Sequence, residues 1–190
     1  KVKYDPAPLA ANYKAPYSIR SKIPKKVLIV GSGTGNDTAY ALEKGVSSID
    51  AVEIDPVIIH IGEKYHPQKP YQSEKVNIIK NDARNFIQHT KKKYDLIVYG
   101  MLDSHSSLSG KGGIRLDSYV YTVESFKEAR KILSDDGYLS LSFNLSEATL
   151  GLKIYAMLTE AFNGKEPLVI SHYKEGTEKF KMQPYAFIIG

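Results

Sequence analysis

The sequence predicts an α/β domain with a mostly parallel sheet, and three observations predict it. Short apolar runs alternate with segments of helical period from residue 26 to residue 162; the first run ends in a glycine-rich turn that opens a helix; and two strand-like runs near the end, joined by a polar stretch, suit a hairpin. Such alternation requires right-handed crossovers, which set the strands side by side and put helices on both faces. With 190 residues and 42% hydrophobic content the chain can bury one substantial core. Residues 25–190 are therefore read as one domain. Residues 1–24 carry Pro6, Pro8, Pro16 and Pro24 with Tyr4, Tyr13 and Tyr17, and are read as an arm or linker that resists regular structure.

The elements follow in order. Val27-Leu28-Ile29-Val30 is a run of four apolar residues, three of them β-branched, and reads as a strand buried on both faces. Gly31-Ser32-Gly33-Thr34-Gly35-Asn36 then makes a tight turn with exposed backbone amides, and the spacing of Thr38, Ala39, Ala41 and Leu42 predicts a helix that stops at Gly45. Residues 48–53 form the second strand, and Pro56 starts a helix that fades before His66-Pro67. Residues 75–79 make the third strand, with a helix after Asn81-Asp82-Ala83, and residues 94–99 make the fourth. Residues 100–118, rich in Gly and Ser, suit a loop that covers a site. A helix over 121–133, an exit turn at Asp135-Asp136-Gly137, a strand over 138–143, a helix over 146–162 capped by Ser146, and strands over 168–173 and 185–189 complete the list.

Composition excludes several classes. There is no cysteine, hence no disulfide framework and no thiolate ligand or nucleophile, which fits a reducing, cytoplasmic location for this domain. No run of about 18 apolar residues occurs, and the first residues are not a signal peptide. The net charge of +5 comes from dispersed lysines, and Lys91-Lys92-Lys93 closes a predicted helix where cations complement the dipole, so no nucleic-acid partner is expected. His60, His66, His89 and His172 lack ligand spacing, and no metal site is expected.

In a sheet of this kind ligands bind beyond the carboxyl ends of the strands, beside the first. Four features converge there. The glycine turn is the first. Glu53, at the end of the second strand and 22 residues after Gly31, is placed to accept hydrogen bonds from both hydroxyls of a ribose. Asp55 points elsewhere by strand alternation and suits a helix cap. Asp82, ending the third strand, can accept from an exocyclic adenine amine while the Ala83 amide faces a ring nitrogen; a plain helix cap explains it equally well. The segment Gly100-Met101-Leu102-Asp103-Ser104-His105 would line the place of transfer chemistry.

The third glycine comes one residue too early for a dinucleotide fingerprint. Gly31-x-Gly33-x-Gly35 followed by Glu53 and Asp82 instead resembles the S-adenosylmethionine site of class I methyltransferases, a Rossmann-like sandwich whose mostly parallel seven-stranded sheet ends in an antiparallel hairpin. More narrowly, Val52-Glu53-Ile54-Asp55-Pro56, Asn81-Asp82-Ala83-Arg84, Tyr94-Asp95-Leu96-Ile97-Val98 and Tyr121-Thr122-Val123-Glu124-Ser125-Phe126 resemble the catalytic domain of spermidine synthases, the polyamine aminopropyltransferases, over roughly residues 25–145. Leu102-Asp103-Ser104-His105 and Arg115-Leu116-Asp117-Ser118-Tyr119-Val120-Tyr121 resemble spermidine-synthase-like domains that can be fused to membrane-spanning segments, so the parent chain could be membrane-anchored. The resemblance implies Glu53 and Ile54 around the ribose, Asp82 and Ala83 at the adenine, Gly100 lining the donor site and Asp103 facing the acceptor.

This chain departs from that pattern in having Thr34 where aminopropyltransferases carry an acid inside the glycine turn, Gly100 where they carry another after the fourth strand, and no N-terminal β-strand domain within residues 1–24. Charge arithmetic then favours intact S-adenosylmethionine, whose carboxylate the Thr34 hydroxyl and the helix N-terminus can serve. The expected activity is methyl transfer to a small amine-bearing acceptor. Asp103, His105 and Tyr99 are the catalytic candidates, and Arg115, Asp117 and Tyr119 close the pocket. Aminopropyl transfer from decarboxylated S-adenosylmethionine to a polyamine is the alternative; a non-catalytic adenosyl-ligand sensor is a third reading. A homodimer is compatible with the sequence.

Overall fold

The apolar run that opens the domain forms its central strand. In the computed structural model, which describes residues 7–100, 119–145, 148–171 and 183–190, β1 (Lys26–Val30) pairs in parallel with both β2 (Ser48–Glu53) and β4 (Tyr94–Tyr99). Beyond them lie β3 (Val76–Lys80) and β5 (Leu133–Leu145), also parallel, and then β6 (Leu168–Ser171) and β7 (Gln183–Ile189). The order across the sheet is β3-β2-β1-β4-β5-β7-β6, with β7 antiparallel to both its neighbours. This is the mostly parallel seven-stranded sheet with an antiparallel end that the sequence predicts.

Strand alternation sends β1 side chains into two cores. Leu28 and Val30 join Ile97, Phe126, Leu139 and Ile154 on the face covered by α4 (Ala83–His89), α5 (Val123–Lys131) and α6 (Ala148–Ala161). Val27 and Ile29 join Ala41, Leu96 and Tyr138 on the other face, with α2 (Asn36–Glu43) and α3 (Pro56–Tyr65). The four apolar side chains of β1 are fully enclosed, each worth about 1.5–3 kcal/mol of burial. Among the described residues no helix is long and apolar enough to cross a membrane.

Two segments differ from expectation. Residues 7–18, read as irregular, form the helix α1 (Ala7–Ser18), with Pro16 in its last turn. Tertiary contacts hold it: the Tyr138 hydroxyl donates to the Pro16 carbonyl at 2.7 Å, Tyr17 packs on Tyr40 at 5.7 Å between ring centroids, and Ala15 is buried. Strand β5 begins at Leu133 rather than residue 138. Leu133 pairs with Tyr94 and Tyr138 with Leu96, so the expected exit turn at 135–137 is a bulge inside the strand. It is pinned where the Ser134 hydroxyl donates to Asp95 Oδ1 at 3.0 Å. The Ser146 cap and the connection between β6 and β7 lie outside the described residues.

Two carboxylates tie the strands together. Asp95 Oδ2 accepts from the Lys25 and Lys26 amides at 2.9 and 3.0 Å, clamping the start of β1 to β4. Asp50, buried in β2, accepts from Lys92 Nζ with both oxygens, from Asn77 Nδ2 and from the Tyr94 hydroxyl. Burial pulls the Asp50 carboxyl upward, but the bonds from Lys92, Asn77 and Tyr94 and the Lys92 charge outweigh it and leave its pKa below the ordinary value. Asp50→Ala removes the buried acceptor of the Tyr94 hydroxyl and of Asn77 while Lys92 reaches water, so it lowers stability by about 1–3 kcal/mol at neutral pH. Because the folded pKa is depressed, this contribution is complete above the unfolded value near 4 and is lost as pH falls through the folded one. Urea unfolding at neutral and acid pH checks both points: the gap between the two proteins narrows in acid.

Candidate adenosyl-binding crevice

The glycine turn crosses from β1 to α2 with Gly31, Gly33 and Gly35 at φ of 67°, 55° and 103°, left-handed values that other residues rarely adopt. Glu53 organises it. Its Oε2 accepts from the Gly33 amide at 2.8 Å, and its Oε1 accepts from the Ile54 and Asp55 amides at 2.8 and 3.0 Å. The carboxylate is 8% exposed. Of its roughly four acceptor positions, three are filled, which leaves one, on Oε2.

A wall that sequence reasoning missed supports the turn from behind. The 3-10 turn Pro70–Gln72 brings the Tyr71 hydroxyl to the Gly33 carbonyl, to which it donates at 2.7 Å, and into a 2.8 Å hydrogen bond with the Ser32 hydroxyl. Burial, with the nearby charges of Glu53 and Asp37, pushes the Tyr71 hydroxyl up to about 12 against the opposing pull of its hydrogen bonds, so it stays a donor. Ser32, expected at the ligand, is thereby buried on the structural side of the turn. His66 Nδ1 accepts from the Gln68 amide at 3.2 Å, so its proton sits on Nε2 and bonds Asn36 Oδ1 at 3.1 Å. The signal for this wall was Pro70-Tyr71 following His66-Pro67, which reads only as the end of a helix.

Asp55 is the N-cap of α3, with Oδ1 accepting from the Val57 amide at 2.8 Å, as its position in sequence predicts. Asp82 caps α4, with Oδ1 accepting from the Asn85 amide at 2.8 Å, and Ala83 is the first helical residue. Ile54 stands 50% exposed beside Glu53. Ile54 and Asp82 thus follow the ends of β2 and β3, the two strands on the same side of β1. Tyr99 is not part of the crevice. Alternation turns its ring into the core against Phe126, edge-on at 5.6 Å, which corrects the catalytic expectation for it. Tyr119 is half exposed and its carbonyl accepts from Arg84 at 3.3 Å. Asp103, His105, Arg115 and Asp117 lie outside the described residues.

Gly100 ends β4 beside the turn, and an unforeseen carboxylate meets it there. A Cβ on Gly100 would stand 2.9 Å from Asp37 Oδ2 and 3.7 Å from the Gly31 carbonyl oxygen. Asp37 belongs to the first turn of α2 yet reaches across to the end of β4. Burial pushes its carboxyl up to about 7, against the opposing pull of its own backbone amide. The sequence signal is Asn36-Asp37, an acid in the helix that follows the turn rather than at a strand end.

The fit between α3 and the turn gives a prediction with an unusual sign. A Cβ on Gly62 would lie 2.5 Å from the Thr34 carbonyl oxygen and 2.7 Å from the Tyr71 ring. A helix-interior Gly→Ala change ordinarily stabilises by about 1 kcal/mol. Here overpacking of about 1–3 kcal/mol opposes that gain, and Gly62→Ala lowers the unfolding midpoint in a denaturant titration instead of raising it.

Comparison with known proteins places this chain in a family. Residues 17–162 match the model of the spermine/spermidine synthase domain. The polyamine aminopropyltransferase of Methanocaldococcus jannaschii is 31% identical over 119 residues, 61% of this chain and 38% of that protein. The polyamine aminopropyltransferase of Buchnera aphidicola is 32% identical over 148 residues, 75% of this chain and 51% of that protein. The chain thus spans about half or less of the length of these relatives. Among solved structures, spermidine synthase from Thermotoga maritima superposes with a TM-score of 0.66 at 20% identity, covering 87% of this chain and 53% of that one. Human methyltransferase-like protein 13 in complex with SAH gives 0.63 at 21%, covering 95% and 79%. At these identities the likeness is one of fold, the Rossmann-like methyltransferase sandwich. The family match takes in the glycine turn, Glu53, Asp82 and both flanking cores, and on that span the chain belongs to the spermine/spermidine synthase family.

Proposed function

We propose that this domain carries aminopropyl transfer from decarboxylated S-adenosylmethionine to a primary amine of the polyamine class. The observation that carries the reading is the family match, which falls on a crevice whose parts suit an adenosyl donor. Glu53 offers its remaining acceptor position to a ribose hydroxyl. Ile54 lays an apolar side chain beside the base, and Asp82 offers an oxygen to the exocyclic amine while its Oδ1 caps α4. Gly33, where a Cβ would meet nothing within 4 Å, leaves open space beside the turn for the donor to cross towards Gly100. Asp103 and His105 remain the candidates for the acceptor side, on the strength of the motif alone.

The donor supplies a carbon already activated by its positive sulfur. The amine lone pair forms a C–N bond to that carbon as the C–S bond breaks, and its electron pair stays on sulfur, giving a neutral thioether. No acid is needed for the leaving group. The protein's tasks are to align the two partners and to take the proton that an alkyl ammonium must lose before it attacks.

This reading reverses the order favoured by charge arithmetic, which put methyl transfer first. That argument assumed a crevice without an acid near the glycine turn, and Asp37 stands there. The name polyamine aminopropyltransferase, borne by relatives about one-third identical, supports the same reversal. Isothermal calorimetry with the two donors, followed by mass spectrometry of reactions with putrescine, tests it. The expected result is binding of the decarboxylated donor and formation of methylthioadenosine with an aminopropylated amine. Methylated amine with S-adenosylhomocysteine as the co-product would restore methyl transfer, and binding of either donor with no product from any amine would leave the sensor reading.

A further inference from the structure

We infer that Asp37 is the donor-selecting residue of this crevice: its carboxylate, lodged between the ends of β1 and β4, pairs with the free ammonium of a decarboxylated donor and repels the carboxylate of intact S-adenosylmethionine. The inference rests on the proposed aminopropyl transfer and assigns a role to a residue outside the turn. Three observations support it. A donor whose ribose is held at Glu53 and whose base lies towards Asp82 extends its other end across Gly31 towards Gly100, because adjacent strand ends define the crevice. Asp37 Oδ2 is at that far end, 2.9 Å from where a Gly100 side chain would begin. The absence of a Cβ at Gly100 leaves the carboxylate its space.

The described surroundings bring it no cation. The groups that feel Asp37 are the hydroxyl of Tyr17, on α1, and that of Tyr71, beside the turn. Burial, the largest effect on each, raises both above their ordinary value, so both stay neutral. Among the described residues no lysine, arginine or histidine contributes to the titration of Asp37, and loss of water moves it up to about 7. A carboxylate kept from water without a cation is costly unless a ligand brings one. A primary ammonium is such a ligand, whereas the zwitterionic end of intact S-adenosylmethionine brings an anion with it.

The test is the ratio of the two donors' affinities, measured by calorimetry on the whole chain with each donor as the titrant. The wild-type protein binds the decarboxylated donor more tightly, and Asp37→Asn reduces that preference by about tenfold to a hundredfold. The preference of the wild type is larger at about pH 8 than at about pH 5.5, because Asp37 loses its charge between them, and the ratio for the variant does not follow this change. At pH 7 donor binding releases about half a proton, since a carboxyl titrating near 7 is half protonated before the cation arrives and ionised afterwards. These pH measurements need only the wild type, so a variant that fails to fold does not remove the test. A preference unchanged by Asp37→Asn, or one that is flat with pH and releases no proton in the wild type, overturns the role of Asp37 and leaves aminopropyl transfer standing. If neither donor binds the wild type, the transferase reading falls and this inference falls with it.

Discussion

One carboxylate holds the crevice in shape. Glu53 accepts from the Gly33 amide on one side and the Ile54 and Asp55 amides on the other, joining the end of β2 to the turn that leaves β1. Three left-handed glycines have no side chains to fix them and could settle in many conformations. The charge-assisted bond to Gly33 selects one of them, and the Tyr71 hydroxyl fixes the carbonyl of the same residue from the opposite side. Gly33 is thus held at both its polar backbone atoms, and α3 is pressed against the next carbonyl through Gly62. The turn is therefore ordered by the fold itself, and a ligand binding there would meet a surface already formed.

The carboxylates of the sheet divide into two kinds by the company they keep. Asp50 and Asp95 meet amides, a hydroxyl and a lysine, and despite burial both are held below the ordinary carboxylate range by those bonds. They are structural fasteners, placed where β2 and β4 begin or run through the core. Asp37 is desolvated without matching donors and moves the other way, up to about 7. Opposite displacements of chemically identical groups point to different uses. The fasteners have their partners within the fold, while Asp37 stands beside Gly100 at the end of β4.

Much of the fold was legible because local rules and tertiary demands agree in the first half of the chain. β1, β2 and β4 are runs whose apolar residues fill both cores, and the caps at Asp55 and Asp82 follow from a short acid before a helical run. Where distant residues decide, the sequence misleads. Four prolines made residues 1–24 look irregular, yet α1 forms because Tyr138, more than a hundred positions away, supplies a donor to the Pro16 carbonyl. Likewise, Asp135-Asp136-Gly137 has turn chemistry and does turn, but within a strand whose first residue is already paired with Tyr94. Tyr99 looked like a pocket residue from its place at a strand end; the parity of β4 sends it to the opposite face from the turn.

Asp37 was the hardest residue to foresee, and the reason is geometric. Reading along the chain, the apparent gap in the site is Gly100, a residue without a side chain at the end of β4. The parallel sheet sets β4 directly beside β1, so the first turn of α2 stands over both strand ends. An acid one residue into that helix reaches the space that a side chain on β4 would fill, although 63 positions separate the two in sequence. Glycine at position 100 is then the complement of the acid at 37: a Cβ there would press on its carboxylate. A site in this fold is specified by which strand ends are neighbours, so the same chemical group can be supplied from either of two elements that the sequence keeps far apart.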